Sequence, residues 1–231
     1  MAGKIYLLPV TLGGDDFSYV IPARVINITR QLRFFVVEEL RSARRYLRKI
    51  DKEFPIDESN FSVLNEHTTE DEIEQLLDPI NIGYNIGLMS EAGLPCIADP
   101  GARIVSLAQK KRIEVIPLSG PSSIILALIA SGFNGQNFTF NGYLPVKPVE
   151  RMIKIKELEK RSKTGCTQIF METPYRNQQM FDSIINVCNN ETLLCLAIDI
   201  TLPSETIKTM KISQWNKGVP SLKDRLVIFI I

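Results

Sequence analysis

Short apolar runs alternate with segments of helical periodicity along the first half of the chain. The runs cover residues 5–8, 34–37, 61–64, 86–89 and 115–118, and their length and apolar content are typical of buried strands. Parallel neighbouring strands require a crossover connection, so strict alternation of strand and helix predicts a parallel sheet with helices on both faces. The first half is therefore expected to be a doubly wound α/β domain.

One helix is expected over residues 69–80. Thr69 and Glu72 are spaced as a capping box, in which each side chain bonds the other residue's backbone N–H. The apolar residues that follow lie at i, i+3, i+4 and i+7; they are Ile73, Leu76, Leu77 and Ile80. This spacing predicts a single helix that buries one face.

The second half of the chain has a different pattern. Its strand candidates are residues 138–144, 168–173, 193–198, 206–212 and 226–231. Some of them follow one another without a helix between, which indicates a mixed sheet. We therefore predict an N-terminal α/β domain of residues 1–118 and a C-terminal, mixed-sheet α/β domain of residues 119–231.

Composition limits the partners and the compartment. With 27 basic and 26 acidic residues, the chain has almost no net charge, so no long-range electrostatic field attracts nucleic acid or a membrane. A binding site for a polyanion must therefore be a local cluster of cations. The four cysteines form no CxxC pair and have no histidine near them, which argues against a zinc site or disulfides and favours the cytoplasm. The longest apolar stretch, residues 124–130, is far shorter than the roughly 20 residues of a membrane span, so no membrane partner is expected.

Three loops combine glycine, proline and polar residues directly after predicted strands. They are SEAGLPCIADPG at residues 90–101, SGPSS at residues 119–123 and METPYR at residues 171–176. Each alone is ordinary turn chemistry, but ligands of open parallel sheets bind at the carboxyl ends of strands, so together the loops indicate one composite site. No GxGxxG follows a strand and no GxxxxGK(S/T) occurs, which argues against a dinucleotide dehydrogenase and a phosphate-cradling NTPase.

Further motifs, in a specific order and spacing, indicate a family. They are LPVTLGG at residues 8–14, VEELRSAR at 37–44, NEHT at 65–68, FNGYLP at 140–145 and AIDIT at 197–201. With the three loops, these motifs make the chain resemble the tetrapyrrole methylase superfamily, in the branch of the small-subunit ribosomal RNA ribose 2'-O-methyltransferases. The resemblance implies two α/β domains, a homodimer, and S-adenosylmethionine bound without a metal in the cleft between the domains.

The resemblance also implies which residues bind the methyl donor. They are Pro9, Gly13, Ser90, Glu91, Ala92, Gly93, Ser122, Ser123, Met171 and Glu172. Small residues, a carboxylate and apolar walls suit a sulfonium nucleoside. Glu91 stands where the family usually has aspartate, which keeps the charge on a side chain one methylene longer.

When a sulfonium gives up its methyl group, the thioether that leaves is neutral, so neither an acid nor a metal is needed to stabilise it. Most of the rate enhancement then comes from alignment of the methyl group with the acceptor. A hydroxyl acceptor must still give its proton to a base. The first candidates are Glu39, Glu66 and His67, followed by Glu172 and Asp199. Other roles stay open, since Glu39 could begin a solvated helix and a lone histidine is more often a structural residue. Asn65 and Thr68 replace the histidine and asparagine usual in the ribosomal RNA enzymes.

The helix after the second predicted strand is rich in cations. At helical spacing, six of them share one face; they are Arg41, Arg44, Arg45, Arg48, Lys49 and Lys52. Such a face either grips RNA phosphates or is only a solvated surface. The resemblance assigns four residues to the acceptor, namely Arg41, Arg44, Tyr175 and Arg176.

Three hypotheses about the acceptor stay open. RNA ribose methylation is the leading one, with ribosomal RNA or the small ribosomal subunit as partner. Ile198 and Leu202 stand where the RNA enzymes carry basic residues, and those enzymes continue beyond the position of Ile231. We therefore expect a divergent member without that C-terminal segment. The second hypothesis is methylation of a small, tetrapyrrole-like molecule, and the third is binding of donor or RNA without turnover.

Overall fold

The computed structural model of the protein describes residues 2–215, 218 and 221–231. The chain divides into two compact units, Met1–Ser122 and Ser123–Ile231. No helix in the described ranges is long and apolar enough to cross a membrane.

The first unit alternates strands with helices. Its strands are β1 (Ile5–Leu8), β2 (Phe34–Val37), β3 (Asn60–Val63), β4 (Ile86–Met89) and β5 (Val115–Pro117). Its helices are α1 (Ala23–Gln31), α2 (Leu40–Ile50), α3 (Glu70–Gln75), α4 (Asp78–Asn81) and α5 (Gly101–Lys110), with a 3-10 turn at Ile56–Glu58. The strands pair in parallel in the order β3-β2-β4-β1-β5. The predicted doubly wound parallel sheet is confirmed.

Successive side chains of these strands enter two different cores. Phe35 of β2 packs with Leu47 and other residues of the face covered by α1 and α2. Its neighbour Val36 packs with Ile104 and other residues of the face covered by α3, α4 and α5. Because adjacent strand residues point to opposite faces, burial of both faces explains why these strands are continuous apolar runs.

The second unit contains a mixed sheet. Its helices are α6 (Ser123–Ser131), α7 (Pro148–Ser162), α8 (Asn177–Val187) and α9 (Ile212–Trp215), with a 3-10 turn at Pro174–Arg176. Its strands are β6 (Phe138–Tyr143), β7 (Thr167–Met171), β8 (Leu193–Ile198), β9 (Thr206–Lys211) and β10 (Val227–Ile230), in the order β6-β7-β10-β8-β9. Only β6 and β7 pair in parallel, and the other three pairings are antiparallel. The predicted mixed sheet is confirmed, with β10 at its centre.

The continuous helix predicted over residues 69–80 is wrong. The capping box is present, since the Thr69 side chain accepts from the Glu72 N–H and the Glu72 carboxylate accepts from the Thr69 N–H. However, α3 ends at Gln75 and α4 begins at Asp78. Pro79 has no N–H for the helix ladder and its ring would crowd the preceding turn, so it stands in the first turn of a new helix. The predicted apolar positions still contact the core.

Gly87, in the centre of β4, has no room for a side chain. A Cβ there would lie 2.6 Å from Leu8 Cδ1, 3.0 Å from Leu32 Cδ1 and 3.1 Å from Phe35 Cδ1. We expect Gly87→Ala to lower the free energy of unfolding by about 1–3 kcal/mol, as overpacking of a core does. Urea denaturation followed by circular dichroism measures it.

Gly135→Ala is the matched control, because a Cβ at Gly135 would meet no atom within 4 Å. Equal losses of stability in the two variants would show that crowding at Gly87 is not the cause.

Candidate functional site

The carboxyl edge of the parallel sheet contains a topological switch point. After β1 the chain turns to α1 on one face, and after β4 it turns to α5 on the other. Where adjacent strands send their connections to opposite faces, the loops part and leave a crevice in which ligands of such folds bind. A cavity of about 210 Å³ lies there, and we call it the switch-point cavity.

Two loops and one helix line the switch-point cavity. The loop after β1, residues 9–22 (the β1 loop), contributes Val10 and Thr11, and the loop after β4, residues 90–100 (the β4 loop), contributes Ser90 and Glu91. The polar side chains that α2 contributes are Ser42, Arg45, Tyr46 and Lys49. Tyr46 is buried and its hydroxyl donates to the Pro9 carbonyl at 3.2 Å, which joins α2 to the β1 loop.

Gly93 holds the β4 loop against the β1 loop. Its carbonyl accepts from the Val10 N–H at 2.9 Å, and its N–H donates to the Thr11 carbonyl at 3.4 Å. Its φ is +71°, and a Cβ would lie 3.0 Å from Leu12 Cδ2 and 3.3 Å from the Pro121 carbonyl. The glycine is therefore required for the packing of these loops themselves.

The predicted donor-binding residues of the first unit come together at this edge. Pro9 is buried, and its ring would collide with any Cβ on Gly120, after β5. Gly13 and Ala92 are exposed in the β1 and β4 loops. The exposed Glu91 accepts one long hydrogen bond, from Ser42 Oγ at 3.4 Å, and Ser90 Oγ donates to the Ala92 carbonyl at 3.3 Å. The Glu91 carboxylate thus retains most of its capacity to accept hydrogen bonds from a ligand.

Two adjacent carboxylates at the end of β2 have opposite pKa shifts. Glu39 is the N-cap of α2: its carboxylate accepts from the Arg41 N–H at 2.8 Å and the Ser42 N–H at 2.6 Å, and these bonds lower its pKa. Partial burial raises the pKa of Glu38, and the charges of Glu91 and Asp99 add to the rise. Glu39, predicted as a base, is therefore committed to capping, whereas Glu38 is the stronger proton acceptor.

Glu38 faces a second, much smaller cavity together with Ser90 and Asp99. The volume of this cavity is about 10 Å³, on the scale of one water molecule. Asp99 Oδ1 accepts from the Gly101 N–H at 2.7 Å, while the buried Oδ2 has no hydrogen-bond partner within the described ranges. Of the two carboxylates that end β2, the sequence prediction chose Glu39 as the base. Strand alternation gives the signal for Glu38, because it follows Val36 to the face covered by α5.

Glu66 and His67 lie away from the switch-point cavity. They follow β3, and β2 and β4 separate that strand from β1 in the sheet. Their side chains are 86% and 85% exposed and form a pair at 3.5 Å. The His67 N–H donates to Asn65 Oδ1 at 2.9 Å, which closes a local turn. Both predicted bases thus occupy a solvated turn at the edge strand.

In the second unit, the predicted residues Met171 and Glu172 stand at the end of β7. The Glu172 side chain is fully buried, and its Oε1 accepts from Arg176 Nη2 at 2.6 Å and from the Thr173 N–H at 2.7 Å. Glu172 Oε2 and Arg176 Nε are buried without a hydrogen-bond partner in the described part of the chain. Tyr175 is 69% exposed, and its ring centroid lies 5.3 Å from the Arg176 guanidinium carbon. Arg176 is therefore held by Glu172, and Tyr175 is accessible.

Asp199 is a further predicted base, and both of its carboxylate oxygens accept hydrogen bonds within the second unit. One oxygen accepts from the Leu226 N–H at 3.0 Å, and the other accepts from Ser204 Oγ at 2.7 Å and Arg225 Nε at 2.5 Å. Its φ is +50°. The carboxylate serves as an anchor for this turn.

Five of the six predicted cations share one side of α2, and the sixth does not belong to the helix. Lys52 lies outside the helix, which ends at Ile50. The Arg44 guanidinium carbon lies 5.2 Å from the centroid of the Phe61 ring, and Arg48 donates to the Lys52 carbonyl at 2.8 Å. The helix buries Ala43, Tyr46, Leu47 and Ile50, and the five cations lie on the side opposite this buried face.

The chain is similar to proteins of one family along most of its length. Residues 20–215 match the family described as Tetrapyrrole (Corrin/Porphyrin) Methylases. The "Ribosomal RNA small subunit methyltransferase I" of Vibrio cholerae is 32% identical over 212 residues, which cover 91% of this chain and 69% of that relative. The protein of the same name from Pseudomonas aeruginosa is 27% identical over 221 residues, which cover 95% of this chain and 74% of that relative.

Among solved structures, the methyltransferase CobJ resembles this chain with a TM-score of 0.64 and 16% sequence identity. The match covers 99% of this chain and 94% of CobJ. At this identity, the likeness shows a shared fold.

The opposite pKa shifts of Glu38 and Glu39 give opposite pH dependences of stability. The pKa of Glu38 is raised in the folded protein, so its charge costs stability once the pH rises above the unfolded value, and Glu38→Gln should stabilise the protein at neutral pH but not at acid pH. The pKa of Glu39 is lowered, so its charge contributes stability above the unfolded value, and Glu39→Gln should destabilise the protein at neutral pH, with the loss vanishing in acid.

Thermal unfolding of both variants and the parent protein at several pH values measures these differences, and carboxyl NMR titration measures the two pKa values directly. A Glu38 pKa at or below that of Glu39 would contradict the assignment.

Proposed function

Because the chain belongs to the family of tetrapyrrole (corrin/porphyrin) methylases, we propose that it transfers a methyl group from S-adenosylmethionine to a ribose 2'-hydroxyl of small-subunit ribosomal RNA. Membership of this family makes it an S-adenosylmethionine-dependent methyltransferase. The RNA acceptor is supported by the relatives named as ribosomal RNA methyltransferases. The observation that carries the proposal is the switch-point cavity, whose walls combine the predicted donor loop with cations of α2.

The residues of the first unit fit the donor. The exposed Glu91 carboxylate can accept hydrogen bonds from ribose hydroxyls. S-adenosylmethionine supplies the methyl group. The other residues that the family resemblance assigns to the donor remain part of the proposal; they are Pro9, Gly13, Ser90, Ala92, Gly93, Ser122, Ser123, Met171 and Glu172.

The acceptor hydroxyl must lose a proton to a base. Glu39, Glu66 and His67 stay predictions for this role. Glu38 is the better candidate, because a carboxylate with a raised pKa takes up a proton more readily and this one lies at the carboxyl edge of β2. Arg41, Arg44, Tyr175 and Arg176 stay predictions for the RNA backbone, to which exposed cations contribute affinity that salt reduces.

We extend the proposal to the assembly and the compartment. The family resemblance supports a homodimer, which sedimentation equilibrium would detect. An acceptor in the small ribosomal subunit supports a cytoplasmic location. No group of three or more metal-ligating side chains is present among the described residues, and the proposed transfer assigns no step to a metal.

The test uses small ribosomal subunits from a bacterium that lacks its own relative of this protein. The purified chain is incubated with them and with S-adenosylmethionine labelled in the methyl group, and the RNA is then digested and analysed by mass spectrometry. We expect label in one 2'-O-methylnucleoside. Subunits incubated without the protein provide the control.

Other results of that assay would select a different function. Label on a base would refute the ribose as the acceptor. Label in an added tetrapyrrole and none in RNA would favour the small-molecule acceptor. Donor binding in a calorimeter without transfer to either substrate would favour a protein without turnover, and absence of donor binding would end the enzymatic proposal.

Glu91→Gln should weaken binding of S-adenosylhomocysteine about tenfold or more, because charged hydrogen bonds contribute more than neutral ones. Isothermal titration calorimetry measures this affinity. Glu58→Gln is the control, since Glu58 is an exposed carboxylate on the turn before β3. If both variants bind as the parent protein does, Glu91 has no part in donor binding.

A further inference from the structure

One stripe of α2 faces the switch-point cavity and carries two cations. Ser42, Arg45, Tyr46 and Lys49 are spaced at i, i+3, i+4 and i+7, so they lie along one side of the helix, and all of them line the cavity. The remaining arginines of the helix, Arg41, Arg44 and Arg48, are not part of this lining. Because of the way α2 packs, Arg45 and Lys49 line the cavity, whereas the other arginines of the helix do not.

Lys49 already binds the β1 loop, which contributes Val10 and Thr11 to the cavity. Its Nζ donates to the Gly14 carbonyl and lies 3.2 Å from Asp15 Oδ1. The Asp15 side chain is fully exposed, so water screens this pair strongly. Lys49 therefore links α2 to the β1 loop and keeps most of its positive charge available to an anion.

Arg45 has no such partner. Within residues 2–215, 218 and 221–231, its guanidinium makes no hydrogen bond and no ion pair. The guanidinium presents five N–H donors in a planar fork, which matches the oxygens of a phosphate or a carboxylate. An unpaired arginine one turn from a lysine, both at one cavity, is suited to an anionic ligand.

The charges of the cavity favour a phosphate of the acceptor over the carboxylate of the donor. The two cations stand on α2, whereas the carboxylate among the described lining residues, Glu91, stands on the β4 loop. In the proposed function, Glu91 binds the ribose of the donor. A phosphodiester on the α2 side would lie next to the donor and bring its own ribose toward it.

We propose that Arg45 and Lys49 bind the RNA backbone phosphate adjacent to the ribose that is methylated, inside the switch-point cavity. This proposal rests on the proposed function. It gives α2 a role in positioning one nucleotide, beyond a general attraction of RNA to exposed arginines.

The experiment compares Arg45→Gln, Lys49→Gln and Arg45→Lys with the parent protein in the ribosomal subunit assay. Lys110→Gln is the control, because Lys110 is an exposed cation in the last turn of α5, at the opposite edge of the sheet. For each protein, KM for the acceptor is measured at several salt concentrations, and donor affinity is measured by calorimetry.

We expect Arg45→Gln to raise KM for the acceptor about tenfold and to reduce the salt dependence of binding by about one unit of slope. Arg45→Lys should recover part of the loss, and donor affinity should stay unchanged in both variants. Lys49→Gln should raise KM as well, and Lys110→Gln should behave as the parent protein does.

Two results would overturn the proposal while the proposed function stands. If Arg45→Gln weakens donor binding and leaves acceptor KM unchanged, the cavity takes the carboxylate of the donor. If Arg45→Gln and Lys110→Gln are indistinguishable, Arg45 is only a solvated cation. If the parent protein methylates no RNA, the proposed function itself fails and this proposal fails with it.

Discussion

Two backbone hydrogen bonds, between Gly93 and the segment Val10–Thr11, hold the loops after β1 and β4 together. Without them the β4 loop would have no fixed position over the sheet, and the switch-point cavity would lose one wall. A residue with a side chain is disfavoured at Gly93, because its φ is positive and a Cβ would crowd Leu12 and the Pro121 carbonyl. The site is thus built first by the backbone, and the side chains that line it depend on that frame.

The end of β2 shows how one residue step can separate two roles. Glu38 and Glu39 are neighbours, yet one points toward a small cavity beside other carboxylates and the other accepts the first N–H groups of α2. A capping carboxylate is stabilised in its charged form by fixed donors. A partly buried carboxylate among other charges is destabilised in that form, so of these two residues Glu38 takes up a proton more readily.

The sequence predicts the framework well because burial on both faces leaves continuous apolar runs, such as residues 34–37, and because a capping box is a local signal. The sequence predicts the length of a helix less well where a proline interrupts a regular apolar spacing, as Pro79 does within residues 69–80. A motif alone led to the prediction that Glu66 and His67 act as bases. The order of strands in the sheet puts β3 at the edge, and this order is not visible in a linear pattern. The selection of Arg45 and Lys49 from six cations also depends on how α2 rotates against its core.

The position of β10 affects how the polypeptide is made. In the second unit this strand pairs with both β7 and β8, although it follows β8 by 29 residues, from Ile198 to Val227. Ribosomes add roughly 5–20 residues per second. The edges of β7 and β8 that will pair with β10 therefore stay unpaired for a few seconds after both strands have been synthesised. Such edges are templates for pairing with other chains. The nascent second unit is therefore open to pairing with other chains during the interval before its central strand is synthesised.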